Sequence, residues 1–160
     1  MFDLADFIRE SNRIEGIERE PGDPQLVREL FHTRLFVTLK HVTVRDLEHF
    51  VAICTGAQHH PAELRRRVGM DVRVGNHVAP LGGHEIEVRL ETILRNLDRL
   101  TPFQTHIEYE SLHPFTDGNG RSGRALWLWQ MGGAAPLGFL HRFYYQTLEV
   151  SQQYQRECGL

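Results

Sequence analysis

The stretch that organises this chain is His113-Pro114-Phe115-Thr116-Asp117-Gly118-Asn119-Gly120-Arg121-Ser122-Gly123-Arg124. It combines a histidine, an acid, three glycines and two arginines, a density that no structural requirement explains. Glycine has no Cβ, so a Gly-Asn-Gly run lets backbone amides converge on an anion. The stretch therefore indicates a phosphate-binding loop.

Composition narrows the class of protein around this loop. The chain has 160 residues, of which 41% are hydrophobic, and this suits one globular domain. Its formal net charge of -3 lacks the basic excess that nucleic-acid backbones require, so we expect no direct contact with nucleic acid. Cys54 and Cys158 are too few for a disulfide framework or a zinc site. Such low cysteine usage fits a reduced, cytoplasmic setting. The acids near the N-terminus do not suit a signal peptide and no apolar run approaches membrane-spanning length, so we expect no membrane contact.

Apolar spacing predicts a mainly helical chain. The first helix should bury Leu4, Phe7, Ile8 and Ser11, a face that ends in the carboxylate of Glu15. Helices are expected from Asp3 to Gly16, from Pro24 towards Lys40 through Leu26, Val27, Leu30 and Leu35, from Thr43 to Gly56, from Ile86 to Leu100, from Thr101 to Leu112, from near Asn119 to Gly132, and over Phe143 to Gln155.

Two features stand out from this helical pattern. Alternating Val72 and Val74 followed by Gly75-Asn76 predict a short hairpin before Pro80. The helix that begins near Asn119 is apolar on nearly every side, which predicts a buried central helix. Its residues Trp127 and Trp129 are accordingly interpreted as core rather than as a platform for a nucleotide base.

The loop residues have the chemistry of phosphate transfer. Arg121 and Arg124 lie on one face of the first turn of a helix, where cations oppose a dipole that favours negative charge by about 0.3 to 1 kcal/mol. Two phosphates, or a phosphate and a carboxylate, would compensate them. Asp117 is suited to hold Mg²⁺ against phosphate oxygens. His113 is suited to accept a proton near neutral pH.

Two nucleotide-binding motifs overlap the loop in sequence, but the flanking residues and elements that each motif requires are missing. Residues 118–123 match the dinucleotide fingerprint, but a helix precedes them where that fingerprint needs a strand, and no acid follows about 20 residues on. The Walker A loop needs Lys and Ser or Thr, and Arg124-Ala125 replaces them. Neither motif therefore explains the loop.

Side chains outside the loop invite other interpretations. His84-Glu85 begins like a zincin, but Val88 stands where the second histidine must be, and His59-His60 has no partner at ligand spacing. We therefore expect solvated or capping histidines. Glu108 and Glu110 are expected on a polar helix face, and Glu110 is close enough in sequence to His113 to orient it.

Residues 113–124 resemble the Fic motif at every defining position: His-Pro-Phe, an acid, Gly-Asn-Gly-Arg and a final Arg three residues on. The hairpin resembles the flap of that family and the helical pattern is similar to its core. Residues 11–16, Ser-Asn-Arg-Ile-Glu-Gly, resemble the inhibitory motif of self-inhibited members whose inhibitory helix precedes the core. The resemblance implies an all-α, Fic-like helical bundle with a β-hairpin flap. Residues 1–160 would form one domain, with the inhibitory helix at 1–18 and the catalytic core at about 24–155.

The resemblance also implies a reaction: transfer of AMP from ATP, with Mg²⁺, to a Ser, Thr or Tyr hydroxyl of a target protein. His113 would be the general base and Asp117 the Mg²⁺ ligand. Phe115 would seat the loop, Arg121 would contact the β phosphate and Arg124 the γ phosphate, and the anion hole would comprise Gly118, Asn119 and Gly120. A target segment would add as a strand to the flap residues Val72, Arg73, Val74, Gly75, Asn76, His77 and Val78.

The same residues suggest how activity is restrained. Glu15 on an apolar face needs a cation, and Arg124 at a helix N-terminus needs an anion, so each is a natural partner of the other. The inhibitory motif comprises Ser11, Glu15 and Gly16. Pairing would deny Arg124 to the γ phosphate and leave the α phosphate misaligned.

Several alternatives stay open at this point. The same scaffold could transfer a different nucleotide, phosphorylate a target or remove AMP from one, although Doc-like kinases of the family carry Lys where Gly120 stands. A regulatory or toxin-antitoxin module that binds nucleotide without turnover is a further alternative. Exposed apolar residues on helices would also support a homodimer.

Overall fold

The computed structural model describes residues 2–56 and 61–134, which form six α-helices and one hairpin. In chain order the elements are α1 (Leu4–Ile14), α2 (Pro24–Val37), α3 (Val44–Cys54), β1 (Arg73–Val74), β2 (His77–Val78), α4 (His84–Arg95), α5 (Pro102–Leu112) and α6 (Asn119–Gln130). The predicted all-α fold with a short hairpin is confirmed. Three features of the sequence lie outside the described residues: the helix predicted from Phe143 to Gln155, the pair His59-His60, and Cys158. None of the helices within the described ranges is long and apolar enough to cross a membrane.

Side-chain caps decide where most of the helices begin. Asp3 and Asp23 each accept a hydrogen bond from a backbone amide two residues on, at 2.7 Å. Reciprocal capping boxes, each worth roughly 1 kcal/mol, are formed by Thr43 with Asp46 and by Thr101 with Gln104. Helices α4 and α6 have glycine N-caps and no capping side chain; the N-cap of α6 is Gly118, with φ of 76°. The first-turn amides of α6 are therefore not covered by a side chain of their own loop.

Helix α6 is the centre of the fold, as its apolar sequence predicts. All of its residues from Asn119 to Leu128 are buried. Its largest contact is with α5, and α1, α2 and α3 also pack on it. One cluster of buried side chains joins α3, α4, α5 and α6, and a second joins α1 and α2 to α6. The second cluster docks α1 through Phe7 and Ile8 against Trp127 and Leu128.

Helix α2 departs from its predicted apolar stripe. Val27 and Leu35 are 56% and 50% exposed, whereas Glu29 is 2% exposed. Glu29 Oε2 accepts a hydrogen bond of 2.6 Å from Asn12 Nδ2 on α1, and Oε1 accepts one of 3.0 Å from Gln25. Because these partners satisfy a buried carboxylate, α2 turns a polar position inward at the junction with α1.

Helix α4 is shorter than predicted. It ends at Arg95, with Asn96 as its C-cap, instead of continuing to Leu100. The apolar repeat nevertheless continues, since Leu97 is 8% exposed and packs in the core from a turn. Burial alone therefore does not extend the helix once the Asn96 amide bonds to Ile93 at its cap.

A buried arginine holds the loop that follows α5. Residues 63–65 run antiparallel to residues 114–116, with Arg65 N donating to Pro114 O at 2.9 Å. The guanidinium of Arg65 donates to four backbone carbonyls, those of Leu112, His113, Met70 and Pro80, at 2.7 to 3.1 Å. Burial lowers the pKa of Arg65. One cation thus joins the end of α5 to both ends of the segment that carries the hairpin.

Arg65→Met tests this joint. The substitution leaves buried carbonyls without their donor, so we expect the free energy of unfolding to fall by about 3 to 5 kcal/mol in urea denaturation. Arg67→Met is the matched control, because the Arg67 side chain is 73% exposed and pairs with an exposed Glu63. Arg67→Met should lower the free energy of unfolding by about 0.5 kcal/mol or less. An equal loss of stability in the two variants would show that the buried contacts of Arg65 contribute no more than an exposed ion pair.

Candidate active site

His113 is placed by the end of α5. It adopts a left-handed conformation, with φ of 48° and ψ of 62°, and its amide donates to Tyr109 O at 2.9 Å. It has the only positive φ of any non-glycine residue within the described ranges. Nδ1 lies 3.3 Å from the backbone carbonyl of Glu110, which only accepts hydrogen bonds. Nδ1 must therefore carry the proton of this contact, which leaves the lone pair on Nε2.

The surroundings of His113 keep its ring neutral. The pKa of His113 is lowered to about 4, chiefly by burial and also by His77 and Arg65, while the Glu110 carbonyl and Asp117 act in the opposite direction. The side chain is 13% exposed. A neutral imidazole with a free Nε2 is the form that accepts a proton, so the residue is in the correct state for a general base at neutral pH.

The loop after His113 is closed by its own asparagine. Asn119 Oδ1 accepts from Phe115 N and Nδ2 donates to Phe115 O, both at 2.8 Å. Phe115 is fully buried in the main core cluster. The Asn119 side chain therefore seats Phe115, and what Asn119 offers to an anion is its backbone amide. Asp117 is exposed, and its Oδ1 accepts from Gly118 N at 2.5 Å.

Arg124 binds the end of α1. Its Nη2 lies 2.6 Å from Glu15 Oε1 and donates to Ser11 O at 2.9 Å, while Nε donates to Ser11 Oγ at 2.7 Å. Arg124 is 1% exposed, and the Glu15 side chain is 28% exposed. A Cβ added to Gly120 would overlap Glu15 Oε1, so the carboxylate lies directly over the first turn of α6. Gly16, with φ of 73°, ends the segment that delivers it.

Arg121 does not join this contact. Its Nη1 donates to the backbone carbonyl of Cys54 at 2.5 Å, at the end of α3, and the residue is 5% exposed. The two arginines of the loop thus bind different elements, Arg124 to α1 and Arg121 to α3. Burial raises the pKa of the Cys54 thiol to about 12, so this cysteine has little thiolate character.

The interpretation of Glu110 as part of a polar face is wrong. Glu110 is 1% exposed and packs against α6, where a Cβ on Gly123 would overlap its Oε1. Burial raises the pKa of Glu110 to about 8, and it lowers that of His106, one turn earlier, to about 3. The available signal was the stripe of residues 106, 110 and 113, since a helix that turns His113 inward also turns inward the residues three and seven positions before it.

The hairpin lies beside His113. Its antiparallel register pairs Arg73 with Val78 and Val74 with His77, and Gly75 turns it with φ of 55°. Val78 is 61% exposed, but His77 is 2% exposed and its Nε2 lies 2.9 Å from Ser111 O. Of the predicted flap residues, His77 therefore joins the hairpin to α5 rather than facing solvent.

Comparison with known proteins assigns the chain to a family. A family model described as "Fic/DOC family" matches residues 32–131. The chain belongs to the Fic/DOC family. The Fic/DOC match contains the loop, the hairpin and α3 to α6, whereas α1 precedes it. A search of curated proteins found no match. Fic/DOC proteins are transferases that act on nucleotides, by AMPylation or a related transfer, and the resemblance seen in the sequence is confirmed at this level.

The ionisation of His113 can be measured directly. In an NMR titration of ¹⁵N-histidine-labelled protein, we expect the His113 ring to stay neutral from pH 8 down to pH 5 and to titrate near pH 4. Because an unfolded histidine titrates near 6.5, this group should reduce the free energy of unfolding as the pH falls from about 6.5 to about 4. The His113→Ala spectrum assigns the signal, and titration near 6.5 would refute the buried neutral ring.

Proposed function

We propose that this Fic/DOC chain is a protein adenylyltransferase that transfers AMP from ATP to a Ser, Thr or Tyr hydroxyl of a target protein and is inhibited by its own α1. One observation carries the proposal. The Glu15 carboxylate is bound by Arg124 directly over Gly120, at the N-terminus of α6. A helix N-terminus with a buried arginine is an anion site, and a phosphate would fill it once α1 withdraws.

The geometry suits attack on the α phosphate. The hydroxyl oxygen of the target forms a bond to the α-phosphorus, the bond from that phosphorus to the bridging oxygen of the β phosphate breaks, and pyrophosphate leaves. The hydroxyl proton passes to Nε2 of His113, whose Nδ1 is held by the Glu110 carbonyl. The uncapped amides that follow Gly118 would stabilise the negative charge that develops on phosphate oxygens.

Asp117 fits a role in holding Mg²⁺. Among residues 2–56 and 61–134, no group of three or more His, Cys, Asp or Glu side chains could hold a metal ion. Mg²⁺ is commonly held by one or two carboxylates together with substrate phosphates and water, so one exposed aspartate beside the anion loop is sufficient. The ion would neutralise charge on the leaving pyrophosphate.

Inhibition follows from competition for Arg124. The guanidinium already makes three charge-assisted contacts, two with Ser11 and one with Glu15. A γ phosphate placed there would meet the Glu15 carboxylate at close range, and like charges at that distance repel. ATP would then bind with its phosphates displaced from the line of attack. The exposed outer residues of the hairpin, Arg73 and Val78, remain available to a target segment.

Glu15→Gly should activate the enzyme. Removing one charge-assisted hydrogen bond from the inhibited state shifts the balance by about 1.5 to 3 kcal/mol, or about 10- to 150-fold in rate. Incorporation of α-³²P from ATP and Mg²⁺, followed by mass spectrometry, gives the measurement. Glu18→Gly is the control, because Glu18 is exposed and lies beyond α1.

The mass of the product separates the alternatives. A gain of AMP on the Glu15 variant or on a target supports the proposal. A gain of one phosphate would instead indicate a kinase, and nucleotide binding without any covalent product would indicate a regulatory module. Equal labelling by Glu15→Gly and Glu18→Gly would rule out inhibition by α1.

His113→Ala, introduced into the Glu15→Gly protein, tests whether His113 is the general base. In the Glu15→Gly protein, this second substitution should reduce AMP transfer by at least about a hundredfold, because no other described residue is assigned to take the hydroxyl proton. ATP affinity, measured by calorimetry, should change little. Labelling that persists at the level of Glu15→Gly would mean that a different group accepts the proton.

A further inference from the structure

We propose that Glu110 is a positioning residue for His113: its carboxylate orients the imidazole and stabilises the imidazolium that forms when the target hydroxyl gives up its proton. The proposal rests on the function proposed above. It also links that function to α1, because the same carboxyl group lies in the field of Arg124 and Glu15.

The first support is the placement of the carboxyl group. Glu110 is 1% exposed, and within the described part of the chain neither of its oxygens has a hydrogen-bond partner. Oε2 lies 3.8 Å from Nδ1 of His113. Gly123 leaves the space that Oε1 fills, since a Cβ there would overlap it. A buried carboxyl without hydrogen bonds costs stability, so its presence beside the base indicates a functional role.

The second support is the side of the ring that Glu110 faces. Both acceptors near Nδ1 belong to this one residue, the backbone carbonyl at 3.3 Å and the carboxyl at 3.8 Å. Together they keep the proton on Nδ1 and direct Nε2 towards the hydroxyl. When Nε2 accepts the hydroxyl proton, the positive charge that appears on the ring faces the carboxylate, which lowers the energy of that state.

The third support is the electrostatic connection to α1. Burial is the main reason that the pKa of Glu110 is raised to about 8, while Arg124 lowers it and Glu15 raises it. With α1 docked, the carboxyl is therefore protonated at pH 7 and gives the ring no negative charge. In the nucleotide-free protein, loss of the Glu15 charge lowers the pKa of Glu110, so withdrawal of α1 favours the ionised carboxylate before a phosphate binds Arg124. The titratable and charged groups packed around this pair are His106, Tyr109, Arg124, Glu15, His77, Arg65 and Asp117.

The first test measures catalysis with radiolabelled ATP as the probe and self-labelling of the Glu15→Gly protein as the readout. Adding Glu110→Gln should lower kcat by about 10- to 100-fold and leave the apparent KM for ATP within about twofold. For the Glu15→Gly protein, kcat should rise with pH as Glu110 ionises, and Glu110→Gln should abolish that rise. Glu108→Gln, an exposed position on the same helix, should change neither quantity. Identical profiles with and without Glu110→Gln would overturn the proposal.

The second test does not depend on activity. In the full chain, the His113 ring resonances should show two steps, its own near pH 4 and a second near pH 8 that reports Glu110. Glu110→Gln should remove the upper step, Glu108→Gln should keep it, and Glu15→Gly should move it to lower pH. An upper step that is absent from the wild type, or that survives Glu110→Gln, would overturn the proposal.

These two tests separate the possible failures. If the Glu15→Gly protein transfers no AMP but the His113 ring resonances show the upper titration step of Glu110, the proposed function is wrong and the contact between Glu110 and His113 is supported. If AMP is transferred and Glu110→Gln alters neither kcat nor the upper step, the positioning role alone fails. Glutamine resembles the protonated carboxyl, so thermal unfolding of Glu110→Gln at pH 6 should match the wild type. A large drop there would mean that Glu110 acts through the fold alone.

Discussion

The structure depends on one constraint: a guanidinium buried at the positive end of a helix requires an anion. Arg124 lies in the second turn of the central helix, which begins at Asn119, and the first helix of the chain supplies Ser11 and Glu15 to it. Two glycines of the same helix leave space for these contacts. Gly120 leaves room for the Glu15 carboxylate, and Gly123 leaves room for Glu110. Glycine at these two positions therefore accommodates two separate carboxyl groups, that of Glu15 at the end of α1 and that of Glu110 beside His113.

The parts of the fold that could be predicted from sequence are those with local causes. The capping boxes at Thr43 and Thr101 and the turn at Gly75 depend on neighbours within a few residues. The contact between Glu15 and Arg124 could also be predicted, although 109 residues separate them, because an acid on an apolar face and a cation near a helix N-terminus each require an opposite charge. The reaction itself came from the resemblance and not from the residues alone.

The missed features have partners that a sequence does not display. Within the described part of the chain, the hydrogen bonds of the Arg65 guanidinium go to backbone carbonyls, which every residue has, so the sequence does not distinguish it from the exposed Arg66 and Arg67 beside it. Glu29 is buried because Asn12 of another helix donates to it, which overrides the apolar pattern of α2. The charge of Glu110 favours a position on a polar helix face, whereas its actual burial depends on Gly123 of α6, which leaves room for its carboxyl group. In each case tertiary packing, rather than helix propensity, decides which side of the helix is inside.

Under the proposed function, the bond between His77 and the carbonyl of Ser111 has a consequence for which hydroxyl of a target would be modified. It fixes the hairpin to the last turn of α5, two residues before His113, so the hairpin and His113 are held in a fixed relative position. A strand added to that hairpin can shift only by whole residues, and only a shift of two returns a side chain to the same face, about 6.6 to 6.8 Å along the segment. Under the proposed function, candidate acceptors in a docked segment would be those two residues apart, and the next residue along would point away. The choice of acceptor then depends on strand register, with little need for a pocket that reads the target sequence.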